Sequence, residues 1–188
     1  ETFQSAIPPF DGTRPYQQIP FQYSLHRLDT RDADLQHYEF LAQPNTDPRR
    51  ELLGKLLEEI PQEACILAYN KTFEEEVLKS LSEWFPKYRE RVKEIIANMR
   101  DLALPFRRKD WYHWKMAGSY SLKSVLPVMV PDLSYEGMEI SDGGMASGAY
   151  FKMNELQDPV ELQKLRSALL EYCRLDTLAM VKILEKLR

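Results

Sequence analysis

The run Ala64-Cys65-Ile66-Leu67-Ala68 constrains the fold more than any other feature of the chain. It is short and continuously apolar, follows Pro61, and gives way at once to residues of helical period. Five apolar residues are too few for a buried helix and read as a strand covered on both faces. The preceding stretch, 48–60, predicts a helix with Leu52, Leu53, Leu56 and Leu57 on one face and Thr46 or Asp47 as its cap. The following stretch predicts a helix over 71–85, broken by Pro86, and another over 87–99. Helix, buried strand, helix is the rhythm of an α/β domain.

The rest of the chain is read around that centre. Residues 7–20 are rich in Pro, Gly and Gln and predict a loop. Residues 21–25 alternate apolar and polar, a strand pattern, with 38–42 as the hairpin partner. The stretch 100–131 is mixed, with a short helix over 121–129. Four of the seven glycines fall in 137–148, which predicts a loop or hairpin and matches no phosphate-binding glycine motif. A long helix is expected over 159–187.

Composition sets the outer limits. With 188 residues, 44% of them hydrophobic, the chain is one domain's worth of sequence, and 1–188 is read as a single domain. A net charge of −4 excludes a basic blanket for holding nucleic acid non-specifically, but not a nuclease, whose carboxylate-lined metal site is itself acidic. Mean hydropathy is −0.48. No apolar run approaches the ~20 residues of a membrane span. There is no basic-then-apolar start of a secretory signal, so a cytoplasmic location is expected. Cys65 and Cys173 read as small buried hydrophobes in a reducing compartment, and His26, His37 and His113 show no metal-ligand spacing. The start at Glu1 suggests a piece of a longer protein carrying other domains.

Carboxylates stand where apolar residues are expected. Leu165, Leu169, Tyr172, Met180, Ile183 and Leu187 form one stripe of the last helix, completed by Asp176. A carboxylate there is costly unless it is bonded to a neighbour or holds a metal. Tyr172 lies one turn before it. Glu74 sits three and four residues before Val77 and Leu78, on or beside the buried face of its helix, whereas Glu75 and Glu76 read as solvated surface. Asn70 falls at the strand-to-helix junction, where an N-cap is favoured.

Together, Glu1-Thr2, Asn70-Lys71-Thr72-Phe73-Glu74 and Tyr172-Cys173-Arg174-Leu175-Asp176 resemble the three motifs of the DEDD exonuclease superfamily, tyrosine subclass. The first motif, Asp-x-Glu, is represented by its Glu-Thr half. The second, Asn-x-x-Phe-Asp, carries Glu at its last position. The third, Tyr-x-x-x-Asp, matches in full. Gly118-Ser119-Tyr120-Ser121-Leu122-Lys123 resembles the Ser-Leu-Lys helix start found between the second and third motifs. Met99-Arg100-Asp101-Leu102 and the Tyr-Cys-x-x-Asp-Thr ending make the chain similar to a bacterial domain family placed within that superfamily.

The resemblance implies a ribonuclease H-like fold, a mixed central sheet flanked by helices, and a divalent-metal-dependent 3′-to-5′ exonuclease acting on a single-stranded end of DNA or RNA. It implies Glu1, Glu74 and Asp176 as ligands of Mg²⁺ or Mn²⁺ and Tyr172 as the residue orienting the attacking water. It implies Thr2, Phe3, Asn70 and Lys123 against the substrate, although Phe3 reads equally well as core. Hard cations take oxygen ligands, and two of them activate water and stabilise the leaving oxygen. The longer Glu74 shifts its carboxylate, and small misplacements can cost ~100-fold in rate. An Asp two residues before Glu1 is expected in the parent sequence, and without it the chain 1–188 is expected to bind metal weakly and to show little or no nuclease activity. The rival reading is a catalytically degenerate nucleic-acid-binding or scaffold domain; a protein-interaction domain also fits the net charge. In 107–115, cations alternate with Trp111, Tyr112 and Trp114, which suits either a single-strand stacking surface or a surface turn with half-buried aromatics, the second being the expectation.

Overall fold

A computed structural model describes residues 1–30 and 33–188. The chain divides into two units, Glu1–Glu59 with Gly137–Arg174 and Ile60–Glu136 with Leu175–Arg188. The architecture is mixed α/β, and its described strands pair in three two-stranded sheets rather than in one continuous mixed sheet.

The first unit is built on antiparallel pairing. Strand β1 (Thr2–Phe3) pairs with β2 (Ile19–Pro20), and β3 (Gln22–Arg27) with β4 (Gln36–Leu41) in the register Gln22↔Leu41 to Arg27↔Gln36. The hairpin is the one that the alternation in 21–25 and 38–42 predicts. Phe21, between β2 and β3, donates its N–H to the Glu1 carbonyl at 3.0 Å and accepts from the Ala42 N–H at 2.9 Å. Its neighbours Gln22 and Tyr23 are buried as well, so this end of the strand is covered on both faces. The Gln22 side chain offsets part of the resulting polar cost by donating its Nε2 to the Leu169 carbonyl at 2.7 Å. Helix α1 (Arg49–Glu59) buries Leu52, Leu53 and Leu57 as its spacing predicts. Arg49 is bound to the Asp47 carboxylate at 2.7 Å.

In the second unit β5 (Ile66–Ala68) runs parallel to β6 (Met99–Asp101). Parallel strands need a crossover. Here it is helix α2 (Lys71–Trp84), a 3-10 turn at Pro86–Tyr88 and helix α3 (Arg89–Asn98). Pro86 ends α2 because it supplies no N–H and its ring clashes with the preceding turn. Short helix α4 (Leu104–Arg107), a 3-10 turn at Trp114–Met116 and helix α5 (Leu122–Met129) follow. Leu102, Phe106, Met116, Val125, Leu126, Met129, Ala179 and Ile183 make one buried cluster.

Three expectations are corrected. Residues 143–155 form helix α6 (Gly143–Glu155), not a loop or hairpin. Asp142 caps it by accepting from the Met145 N–H at 2.8 Å, and Ala146, Tyr150 and Met153 are buried at spacings of four and three. That apolar face outweighs the propensity lost at three glycines. The run 64–68 is only half-buried at Ile66 and Leu67, and Cys65 is exposed. Residues 99–101, read as a helix end and a mixed stretch, form β6, held by pairing to β5 rather than by any local pattern. The last helix, α7 (Pro159–Leu187), runs as expected and contributes to both units.

Candidate functional site

In the second unit, Asp176 lies on the inward stripe of α7, half-buried among the neighbours Ala179, Met180 and Ile183. The Tyr135 hydroxyl donates to its Oδ1 at 2.5 Å. Tyr135 packs against the buried cluster, and the Lys123 ammonium stands 6.0 Å from its ring centroid. A charge-assisted bond from a phenol offsets part of the cost of a carboxylate on an apolar stripe. Sequence spacing places Asp176 and Lys123 but does not find Tyr135, which joins them from 41 residues away.

Glu74 stands in the first turn of α2, half-buried, where the helix macrodipole favours negative charge. Glu75, expected on the solvated surface, is only 17% exposed and bridges Lys71 at 2.9 Å and Lys79 at 3.5 Å. Those lysines hold its carboxyl below the usual range. Asn70 occupies the N-cap position but makes no side-chain cap bond. Its backbone is left-handed, at φ 67° and ψ 59°, a conformation asparagine tolerates better than most residues. Asp101 sets that junction. Its Oδ1 accepts from the N–H groups of Asn70 at 3.2 Å and Ala103 at 3.0 Å, and its Oδ2 lies 3.5 Å from Arg107. The stretch 99–102 marks Asp101 in the sequence only as a family likeness. The Tyr69 hydroxyl donates to the Tyr120 carbonyl at 2.6 Å, and burial raises its pKa further above the ordinary tyrosine value, with Asp101 adding.

In the first unit, Glu1 and Thr2 are half-buried and Phe3 is 3% exposed. Phe3 packs on Tyr150 at 4.9 Å and edge-on to Phe151 at 5.4 Å, so its place is in the aromatic core. A Cβ added at Gly143 would meet Glu1 Oε2 at 3.3 Å. Glycine therefore lets the Glu1 carboxylate lie against the first turn of α6, another position favourable to negative charge. Tyr172, 4% exposed, belongs to this unit, one turn before Asp176 on the same helix.

The family model described as "Domain of unknown function (DUF2779)" matches residues 1–121. The chain belongs to this family. The matched stretch includes Glu1, Thr2, Phe3, Asn70, Glu74 and Asp101, while Lys123, Tyr135, Tyr172 and Asp176 lie beyond it. No curated protein and no solved structure matches the chain.

Among the described residues, no group of three or more His, Cys, Asp or Glu side chains is placed to hold a metal ion. Glu1 falls in the first unit, and Glu74 and Asp176 in the second. No helix among the described residues is long and apolar enough to cross a membrane. The two histidines that do meet lie on the β3–β4 hairpin. His26 and His37 are cross-strand partners with ring centroids 4.5 Å apart. The pKa of His26 is lowered to about 4, by burial first and then by His37 and Arg174. Burial lowers that of His37 as well. Burial thus favours the neutral form of both rings, which meet at an interplanar angle of 31°.

Proposed function

We propose that this chain is a phosphodiester-hydrolysing domain of the ribonuclease H-like type, a 3′-to-5′ exonuclease dependent on Mg²⁺ or Mn²⁺. The observation that carries the reading is Asp176, a carboxylate set into an otherwise apolar helix stripe and oriented by the Tyr135 hydroxyl. On this reading Glu1, Glu74 and Asp176 are the metal ligands. Their donor set, oxygen throughout, suits hard cations. As placed, these residues do not form a metal-binding group. The metal dependence rests on the motif order and the donor chemistry alone, and no catalytic step follows from it.

What the chain's own residues would do is more direct. Tyr172 would orient water from one turn before Asp176. Lys123, exposed at the start of α5, would meet a phosphate. Asn70, exposed at the junction before α2, would present its amide to the nucleotide.

The test is digestion of end-labelled DNA and RNA by the intact parent protein, wild type and Asp176→Asn, with Mn²⁺ or with EDTA. The asparagine keeps a carbonyl oxygen for Tyr135 while removing the charge. Metal-dependent shortening by the wild type, lost in the variant, is expected; shortening that survives Asp176→Asn removes Asp176 from the chemistry. A second reading, nucleic-acid binding without turnover, is favoured by Glu in place of Asp at position 74. Strand binding with no shortening under any metal would select it.

A further inference from the structure

The second unit carries a surface that the three motifs do not use. Trp114 is 73% exposed and Tyr112 50%, where half-buried rings were expected, and Tyr120 is 46% exposed. Large aromatics clustered in water are an expense that folding does not require.

The stretch is nevertheless anchored. Phe106 and Met116 are buried in the core, and Trp111 packs edge-on to Phe106 at 5.6 Å. Lys109, Ala117 and Gly118 take left-handed backbone at φ 61°, 50° and 81°, and of the rings between them Tyr112 and Trp114 are exposed. Tyr69 ties down Tyr120 from below through the 2.6 Å bond to its carbonyl. Trp114 is flanked by the His113 ring at 5.8 Å, inclined 28°, and by the Lys115 ammonium at 5.9 Å from its centroid.

Charge decides what such a surface takes. Between 107 and 115 the exposed cations are Arg107, which pairs with Asp101 at 3.5 Å, and Arg108, Lys109 and Lys115, against the carboxylate of Asp110. In a chain of net charge −4 this is a local reversal of sign. Exposed rings with cations interleaved match alternating bases and phosphates, because every base offers a face to stack and every linkage a negative charge. We infer that residues 107–120 form a stacking platform for single-stranded nucleic acid, with Trp114 and Tyr112 receiving bases and Arg108, Lys109 and Lys115 tracking phosphates. The platform deepens the nuclease reading by naming where the strand lies, and rests on it only for its use.

The experiment is fluorescence anisotropy of a labelled oligothymidine of roughly 15 nucleotides, titrated with the full chain in EDTA at several salt concentrations. The wild type binds, and its affinity falls steeply with salt. Trp114→Ala weakens binding about tenfold and Tyr112→Ala adds to the loss. Lys115→Gln with Arg108→Gln flattens the salt dependence. Circular dichroism melts confirm that the variants remain folded. Absence of wild-type binding at low salt, undiminished binding by Trp114→Ala, or equal binding of a duplex overturns the platform. The two readings fail separately. Stacking-dependent binding with no metal-dependent cleavage sinks the nuclease and keeps the platform. Cleavage by the wild type with undiminished binding in Trp114→Ala does the reverse.

Discussion

The two units differ in where they bury aromatic rings, although the first also exposes Tyr16 and Phe151. In the first, Phe3, Phe21, Tyr23, Phe40 and Tyr150 all turn inward and none is more than 9% exposed. Phe21 and Tyr150 stack at 4.3 Å, Tyr23 and Phe40 stack across strands at 5.8 Å, and burial pushes the Tyr150 phenol up to about 12. In the second, the core is chiefly aliphatic and Met side chains around Phe106, while Tyr112, Trp114 and Tyr120 face water. Aromatic burial supplies the first unit with stability. The second is held by its aliphatic cluster and by the backbone bonds of Asp101, which leaves its outer rings available for a ligand.

The contrast is broken or sharpened by substitution. Phe21→Ala should have the largest effect, a loss of ~3–5 kcal/mol in urea unfolding. A loss below ~1 kcal/mol would mean that the aromatic stack does not carry the first unit. Asp101→Ala should cost about 1–3 kcal/mol, because it strips an acceptor from two N–H groups and a partner from Arg107. Faster hydrogen exchange at the Asn70 amide, with the first unit unaffected, would place that loss at the β5–α2 junction.

Acid should act on the first unit. His26 has a folded pKa of about 4, below the ordinary 6.5, so the unfolded chain takes up its proton first. This contribution is fully present above about pH 6.5 and is lost as pH falls through 4. His26→Gln should flatten the melting temperature between those limits, and an unaltered slope would remove the histidine pair as its origin. The smallest effect is expected at Trp114→Ala, within ~0.5 kcal/mol in the same unfolding measurement, since its ring is mostly in water. A larger cost would make Trp114 a structural residue and erase the difference between the units.

Much of the secondary structure was legible from residue spacing. Leu52, Leu53 and Leu57 placed α1, Pro86 divided α2 from α3, and Leu165, Leu169, Tyr172 and Ile183 placed α7, because helical period and proline stops are local properties. The hairpin of β3 and β4 followed from alternation. The motifs located Glu74, Tyr172 and Asp176 but not what surrounds them. Asn70 shows the limit: its position at the helix start was readable, while its left-handed backbone and missing side-chain cap were not.

By itself, then, the sequence determined helices α1, α2, α3, α5 and α7, that the class is α/β, and that Glu74 and Asp176 stand beside apolar helix faces, because each of these is settled within a few residues along the chain. The tertiary structure decided what depends on distant partners. It made a helix of the glycine-rich 143–155 by giving Tyr150 the rings of Phe3 and Phe21 to pack on. It turned three residues at Met99–Asp101 into a strand by supplying β5. It brought Tyr135 to Asp176 and turned Trp114 outward. Composition states which groups a chain owns. Only the packing of segments far apart in sequence determines which of them lose contact with water and which remain free to meet a ligand.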